Sequence, residues 1–272
     1  MIAMRVRGVG VWMPGLPGWE ATRAVLRGEA PYRFSEVALP APELLAPNER
    51  RRAAASVRLA LAVAAEAQAG SGIAPGAIPG VFASSNGDAA VVGALLETLA
   101  GPAPMVSPTQ FHNSVHNAAA GYWSIATRSA QPVTSLSGHD GSFAAGLLRA
   151  ASEVVADAAT VLLVAYDLPV PPPLAAYRDT NFACGVGLVL GPADGAGPTV
   201  RVAHRPELAE PEAGMPRLAA LREIAAANPA GRALRLLEAL AREEPDAMAL
   251  ALFGGQVRVE VTPCSAPRGS AP

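Results

Sequence analysis

The sequence predicts an α/β fold in which a mostly parallel sheet is covered by helices on both faces. Segments with helical periodicity alternate with short strand-like segments along the first 203 residues. The strand-like segments are continuous apolar runs, such as TVLLVA at 160–165, and such runs are typical of strands that are buried on both faces. The composition is that of a globular chain, because 51% of the 272 residues are hydrophobic and only 16% are charged.

The first 72 residues predict a strand, a helix, a proline-rich surface segment and a long alanine-rich helix, over 2–12, 19–27, 31–47 and 49–69. Asn48 is a candidate N-cap for the long helix, and glycines at 70 and 72 are candidates for its end. Its first turn carries Arg50, Arg51 and Arg52, which is an unfavourable place for positive charge next to the helix dipole.

Between residues 80 and 203 the alternation continues. Apolar residues at helical spacing predict helices, and short apolar runs bounded by Gly, Pro or Asn predict strands. We expect helices over 88–99, 113–126 and 141–156, and strands over 80–84, 133–136, 160–165, 186–190 and 199–203.

The character of the chain changes after residue 203. A linker rich in Pro and Glu precedes two amphipathic helices, over 217–227 and 231–244, and two closing strands, over 248–253 and 257–261. We therefore expect an N-terminal domain over 1–203, a C-terminal extension of helices and strands packed on it over 204–263, and a disordered tail over 264–272.

The composition excludes several functions. All 21 basic residues are arginines, so the chain has neither a Schiff-base lysine nor a Walker-type phosphate-binding lysine. The net charge of −2 gives no reason to expect a nucleic-acid partner. No apolar run reaches the roughly 20 residues that a membrane span needs, and no signal peptide is evident, so we expect no membrane partner and a cytoplasmic location. The two cysteines form no disulfide framework, and Cys184 lies in a strand-like run, where we expect a core residue.

A first polar cluster, SPTQFHNSVHNAAAGYW, lies at 107–123. His112 and His116 are four residues apart, so the predicted helix places both on one face. A metal site would need a third ligand such as His139 or Asp140, and the glutamate of an H-E-x-x-H pattern is absent, so we expect neither a metal nor another cofactor. In the alternative interpretation, the two histidines and Asn117 satisfy buried backbone groups at a crowded interface.

A second cluster, SLSGHDGSFAAG at 135–146, joins a predicted strand to a predicted helix. A strand–turn–helix of this kind commonly presents a nucleophile at the helix N-terminus, where the dipole lowers the pKa of a thiol. This turn carries Gly138, His139 and Asp140 but no cysteine. Asp140 is a candidate N-cap for the helix.

Taken together, these motifs resemble the N-terminal half of the β-ketoacyl synthases, which are condensing enzymes with the thiolase fold. The resemblance covers roughly residues 1–203 and implies a thiolase-like half-fold. It is carried by six segments in chain order, RVRGVGVWMPG, VFASSNGD, SPTQFHNSVHNAAAGYWSIA, VTSLSGHDGSFAAGLLRA, VLLVAYD and ACGVGLVLG. The FHNSVHN signature is similar to that of the short, chain-length-factor-like ketosynthase homologues of aryl polyene and related fatty-acid-type clusters.

The departures from this family bear on function. Active synthases carry a cysteine in the turn, and the position that matches it here is Gly138, which cannot form an acyl-enzyme. They also carry two histidines in a second half that this chain does not match. The one later histidine, His204, fits neither motif.

The resemblance therefore implies a catalytically silent subunit that pairs with an active ketosynthase, or with itself, through the thiolase-type dimer interface and acts on acyl-carrier-protein-bound chains. We expect that interface to include the strand at 133–136 and the side chains of Phe111, His112, Asn113, His116, Asn117, Tyr122, Trp123 and Phe143.

Two alternatives remain open from the sequence. In one, His112, His116, His139 and Asp140 form a general-base site of a stand-alone acyl-thioester enzyme, since histidine suits proton transfer near neutral pH. In the other, the chain is a non-catalytic docking subunit, and the arginines at 50–52 meet an acidic acyl carrier protein.

Overall fold

A computed structural model describes residues 1–264 of the chain, so the predicted disordered tail lies outside the described residues except for Cys264, which is exposed. The strands are β1 (Ile2–Met13), β2 (Leu16–Pro17), β3 (Gly80–Ala83), β4 (Val133–Leu136), β5 (Val161–Asp167), β6 (Cys184–Pro192), β7 (Thr199–Arg205), β8 (Asp246–Leu252) and β9 (Gly255–Thr262). The α-helices are α1 (Trp19–Arg27), α2 (Pro47–Arg52), α3 (Ala55–Ser71), α4 (Ala89–Ala100), α5 (Pro108–Ser114), α6 (Ala118–Thr127), α7 (Ser142–Ala156), α8 (Arg222–Ala226) and α9 (Leu234–Arg242).

The strands join one mixed sheet in the order β4-β3-β5-β6-β1-β7-β9-β8, with β2 paired to β1. β3 runs parallel to β4 and β5, and the other neighbouring pairs run antiparallel. The α/β class is confirmed, but a mostly parallel arrangement holds only for β4, β3 and β5. These three strands are connected through crossover helices, whereas β5 and β6 are joined without an α-helix and therefore pair antiparallel.

Helices cover both faces of the sheet. α3 and α6 pack on one face, in a core that includes Phe82, Tyr122 and Trp123. α7 packs on the other face, where α9, β8 and β9 complete the core. Within residues 1–264, no helix is both long enough and apolar enough to cross a bilayer.

α3 approaches β1 and β6 so closely that three strand positions, at Gly8, Gly10 and Gly187, accommodate only glycine. A Cβ atom built on Gly10 would lie 2.2 Å from the carbonyl oxygen of Val63, and one built on Gly187 would lie 2.3 Å from the same oxygen. Because the contacting atom belongs to the backbone, no side-chain rotation can relieve either clash. The backbone of α3 therefore rests directly on the sheet.

The segment after residue 203 extends the same sheet, since β9 pairs with β7 and β8 pairs with β9. On α9, the fully buried carboxylate of Glu238 accepts hydrogen bonds from the backbone N–H groups of Arg217 (2.7 Å) and Leu218 (2.9 Å). The two helices expected here are present but shorter, because each begins as a 3₁₀ turn, at Ala219–Leu221 and Gly231–Ala233.

The helix expected over 49–69 is broken into α2 and α3, which are separated by two extended residues. The buried carboxylate of Asp88 accounts for the second start, because it accepts hydrogen bonds from Ser56 Oγ (2.8 Å) at the N-terminus of α3 and from the N–H of Val91 (3.0 Å) in α4. The expected N-cap, Asn48, is wrong, since α2 begins at the preceding proline.

The helix expected over 113–126 is likewise broken, into α5 and α6. The side-chain amide of Asn113 donates to the carbonyl oxygen of Arg52 (2.9 Å) and so fixes the end of α5 against the end of α2. His112 therefore lies on α5, whereas His116 lies in the connection to α6. The expectation that both histidines share one helical face is wrong.

The close approach of α3 gives a prediction for stability. Gly10→Ala is expected to lower the free energy of unfolding by about 3 kcal/mol, because the methyl group forces α3 away from the sheet. Gly93→Ala on α4, where a Cβ atom meets nothing within 4 Å, is the matched control and is expected to raise it by about 0.5–1 kcal/mol. Urea unfolding followed by circular dichroism measures both; equal stabilities of Gly10→Ala and the wild type would contradict the prediction.

Candidate functional site

The turn between β4 and α7 is held in place by one serine. The hydroxyl of Ser142 donates to the carbonyl oxygen of His139 (2.6 Å) and accepts from the N–H of Gly138 (3.1 Å). His139 adopts a left-handed backbone conformation, with φ of 52°. The turn is therefore closed by hydrogen bonds of its own, at the N-terminus of α7.

Gly138 faces the interior of this turn. A Cβ atom there would lie 3.1 Å from the Cβ of Ala145 and 3.2 Å from the carbonyl oxygen of Gly141, so its neighbours would have to move by a few tenths of an ångström. Because residue 138 is a glycine, the turn presents no side chain at this position.

Asp140 does not cap α7, contrary to the expectation from the sequence, because no side chain makes a capping hydrogen bond at that terminus. Its carboxylate instead pairs with the guanidinium of Arg178 at 2.6 Å, and it lies 3.5 Å from Arg232 and 3.6 Å from the His139 ring. The side chain beside the turn is thus engaged in ion pairs.

Arg178 connects this turn to the turn that follows β3. Its guanidinium donates to Ser85 Oγ (2.8 Å) and to Asn86 Oδ1 (3.1 Å) as well as pairing with Asp140. Because β3, β4 and β5 are parallel, their carboxyl ends lie side by side, and the network lies along these carboxyl ends.

Asp167, at the carboxyl end of β5, holds the turn after β3 in place through hydrogen bonds. One of its oxygens accepts hydrogen bonds from Ser84 Oγ (3.0 Å), the N–H of Ser85 (2.9 Å) and the N–H of Asn86 (3.1 Å). Burial raises the pKa of this carboxyl to about 7, although the three hydrogen bonds and the charge of Arg178 act in the opposite direction.

The sequence did not identify Asp167, Arg178 or Arg232 as site residues. Asp167 ends the apolar run VLLVAYD, and a carboxylate at the end of a buried strand was a usable signal. The two arginines lie in irregular segments without a pattern, so only the folded chain brings them to the turn.

The structure separates the three histidines that the sequence grouped with Asp140. The ring of His116 hydrogen-bonds through Nε2 with the carbonyl oxygen of Ser84 (2.9 Å), in keeping with the interpretation that it satisfies a backbone group. The ring of His112 packs edge-on against Tyr122 and lines a different cavity from the one that His139 lines. Within residues 1–264, no group of three or more His, Cys, Asp or Glu side chains is arranged to hold a metal ion.

The residues expected at a partner interface fall into two sets. Phe111, His112 and Asn117 are exposed and His116 is partly buried, whereas the core of this chain encloses Asn113, Tyr122, Trp123 and Phe143. Because their own chain already covers these four side chains, they present no surface to a partner.

A shallow groove lies between α6 and the outer edge of β4, and we call it the edge groove. It is lined by Asn117, Ala120, Gly121, Ser124, Val133 and Ser135. β4 is the last strand of the sheet, so its outer backbone groups have no partner strand within the described residues. Exposed apolar side chains occur on α6, on α5 and in the connection between them, at Ile125, Phe111 and Val115.

The three arginines of α2 are exposed, but each interacts within its own chain. Arg50 donates to the carbonyl oxygens of Glu43 and Leu45, Arg51 donates to Asn48, and Arg52 lies 3.8 Å from the carboxylate of Glu49. Cys184 is fully buried, as expected for a core residue, and burial raises the pKa of its thiol.

A mixed sheet with α7 starting at the carboxyl end of β4, and a polar network along that edge, defines the class of the protein as a thiolase-like α/β protein of the ketosynthase type. The family described as "Beta-ketoacyl synthase, N-terminal domain" matches residues 24–246, and the chain belongs to this family. Among curated proteins, no sequence matches.

Solved structures share the fold at low sequence identity. A ketosynthase (ApeO) in complex with its chain length factor (ApeC) from Xenorhabdus doucetiae matches with a TM-score of 0.71 and 20% identity, over 96% of this chain and 100% of the matched one. The ishigamide ketosynthase/chain length factor matches with a TM-score of 0.73 and 16% identity, over 97% and 100%. A β-ketoacyl synthase from Burkholderia phymatum matches with a TM-score of 0.67 and 13% identity, over 97% and 100%. These matches confirm the thiolase-like fold that the resemblance implied.

The raised pKa of Asp167 gives a prediction for pH dependence. The native carboxyl keeps its proton up to about pH 7, whereas in the unfolded chain it ionises near pH 4. The native state therefore binds more protons between these values, so the stability from this group is complete below about pH 4 and is lost as the pH rises to 7.

Asp167→Asn keeps the acceptor oxygen and cannot ionise, so it is expected to lose this part of the pH dependence. The difference in free energy of unfolding between wild type and variant should change by up to about 1.4 kcal/mol per pH unit between pH 4 and 7 and stay constant above it. Urea unfolding across this range measures the difference, with the exposed carboxylate variant Asp157→Asn as control. Parallel profiles for wild type and Asp167→Asn would show that Asp167 does not titrate in this range.

Proposed function

We propose that this chain is a catalytically silent ketosynthase homologue that serves as the chain-length-factor-type partner of an active ketosynthase, in fatty acid or polyketide biosynthesis of the aryl polyene kind. The observation that carries this proposal is the turn after β4. By the resemblance, Gly138 takes the place of the nucleophilic cysteine in this turn, and the neighbouring carboxylate of Asp140 is engaged by Arg178.

The comparisons support the pairing. Two of the matched structures are complexes of a ketosynthase with a chain length factor, and the alignments cover 100% of the matched chain in each. A match over the whole length of a chain in such a complex is expected for a protein that works as one subunit of a ketosynthase pair.

The edge groove is the surface that we propose for the partner. A free strand edge beside small residues lets a second sheet edge approach closely and continue the hydrogen-bond ladder. Gly121 contributes to this, because a Cβ atom there would meet nothing within 4 Å. An obligate interface of this kind buries on the order of 2,000 Å² or more. The exposed side chain of Phe111 on α5 is the residue that we propose to contact the acyl chain and help set its length.

The alternatives from the sequence have less support. A general-base site needs its histidines together and available, but His112 and His139 line different cavities and the ring of His116 is engaged by the carbonyl oxygen of Ser84. A docking role for the arginines of α2 has no observation that favours it, since the contacts of all three lie within their own chain.

The proposal predicts activity only in the assembled complex. Co-expression with the ketosynthase encoded nearest to this chain is expected to yield a 1:1 complex. The complex should elongate an acyl chain with malonyl-carrier protein, whereas this chain alone should not. His139→Ala in this chain is expected to leave the condensation rate within about twofold, because the exposed ring takes no part in the reaction. Size-exclusion chromatography with mass determination and a condensation assay test this. Thioester turnover by this chain alone that disappears in His139→Ala would overturn the proposal.

The edge groove makes a second prediction. Ile125→Asp places a charge beside the groove, on a side chain that is 53% exposed, and is expected to weaken the complex at least tenfold. Val155→Asp on α7 is the matched control, since Val155 is 59% exposed and lies on the other face of the sheet. Titration of the two subunits by light scattering or calorimetry gives the affinity. Equal affinities for the two variants would exclude this surface.

A further inference from the structure

Within residues 1–264, helices cover only one face of the sheet at its β8 end. β7, β9 and β8 follow β1 in the sheet, and the helices that pack on them, α7 and α9, lie on the face that carries the buried valines of β7 and β9. α3 lies on the other face, but its main strand contacts are with β1, β6 and β5. We call the open side of β7 and β9 the β7–β9 face. It consists of Arg201, Ala203 and Arg205 of β7 and of Gln256, Arg258 and Glu260 of β9.

Three arginines lie close together on this face. Arg258 is directly opposite Ala203, which lies between Arg201 and Arg205 along β7. Diagonal neighbours across an antiparallel pair are about 7–8 Å apart, so Arg258 lies about this far from each of the other two arginines. All three are exposed, and they share a face because alternate residues of a strand point to the same side.

The positive charge of the β7–β9 face exceeds its negative charge. The acidic residue of the face, Glu260, pairs with Arg258 at 3.0 Å. Arg201 donates to Thr262 Oγ1 (3.3 Å), whereas Arg205 has neither an ion pair nor a side-chain hydrogen bond among residues 1–264. With three arginines against one glutamate, the face has a surplus of two positive charges that a partner bearing carboxylates would neutralise.

The size of the face limits what it can bind. β7 has seven residues. At about 3.3 Å per residue and about 4.8 Å between strands, the open side of β7, β9 and β8 is about 23 Å long and about 15 Å wide. An α-helix about 10 Å in diameter and about 15 residues long fits this area. On β8, the exposed residues Ala247 and Ala251 have only methyl side chains, which let a helix lie close to the strands.

We propose that the β7–β9 face binds an acidic α-helix of another protein, whose carboxylates pair with Arg201, Arg205 and Arg258. Guanidinium groups suit this role because they bind carboxylates through two parallel hydrogen bonds. A nucleic acid suits the face less well, since the chain as a whole has a net charge of −2 and the surplus is confined to one small patch. An interface of this size is small, so we expect a transient complex that salt weakens.

The β7–β9 face is separate from the edge groove. β4 and β8 are the two ends of the sheet, so the groove beside β4 and this face lie at opposite ends of the molecule's one sheet. The binding of an acidic helix therefore goes beyond the pairing with a ketosynthase and does not depend on it.

The test measures binding of a helical peptide of Ala and Glu, about 20 residues long, to the full chain by fluorescence anisotropy at about 20 mM and about 200 mM NaCl. The same peptide with Gln in place of every Glu is the neutral probe. At the lower salt concentration the acidic peptide is expected to bind at least tenfold more tightly than the neutral one, and the higher concentration should remove most of this difference. Arg201→Gln/Arg205→Gln should weaken binding of the acidic peptide at least tenfold.

Arg51→Gln/Arg52→Gln on α2 is the matched control, because it removes the same charge from two other exposed arginines and is expected to bind within about twofold of the wild type. Equal affinities of the two peptides for the wild type would overturn the proposal whether or not the variants fold. So would equal affinities of the two double variants for the acidic peptide, or no binding up to about 1 mM. A DNA duplex that binds more tightly than the acidic peptide, and is lost in Arg201→Gln/Arg205→Gln, would assign the face to nucleic acid instead. A failed ketosynthase pairing leaves all these outcomes unchanged, so the two proposals fail separately.

Discussion

The polar network at the carboxyl ends of β3, β4 and β5 depends on one buried carboxyl group, that of Asp167. Asp167 accepts three hydrogen bonds from the turn after β3. The same turn bonds to Arg178 and holds it against Asp140 in the turn after β4. His116 bonds to the same β3 turn through the carbonyl oxygen of Ser84, so the connection between α5 and α6 is fixed by it as well. The three hydrogen bonds to Asp167 offset the desolvation cost of burying its carboxyl group, as a buried polar group requires.

The strands were the most predictable part of the fold. The apolar run at 133–136 coincides with β4, and the run at 160–165 overlaps the first five residues of β5. The helix at 19–27 has the predicted bounds. The breaks in the long helices were not predictable, because the contacts made beside them join residues that are far apart in the sequence, Asp88 with Ser56 and Asn113 with Arg52. The directions of β6 to β9 were missed for a related reason, since apolar runs do not reveal whether a crossover helix joins two neighbouring strands.

The site was predictable in part. The motif around Gly138 and Asp140 located the turn, whereas the match of Gly138 to the nucleophile position of the family stays a prediction from the resemblance. The partners of Asp140 could not be found in this way, because Arg178 and Arg232 reach it from segments distant in the chain. The histidine pairing failed because a spacing of four residues is informative only within an unbroken helix.

The free edge of β4 has a consequence for the cell that makes this protein. An unpaired strand edge next to exposed apolar side chains is a surface on which copies of the chain can stack when nothing else covers it. If the partner that we propose covers this edge, molecules synthesised in excess of that partner would be lost to aggregation or degradation, and the supply of the two chains would have to be balanced during synthesis.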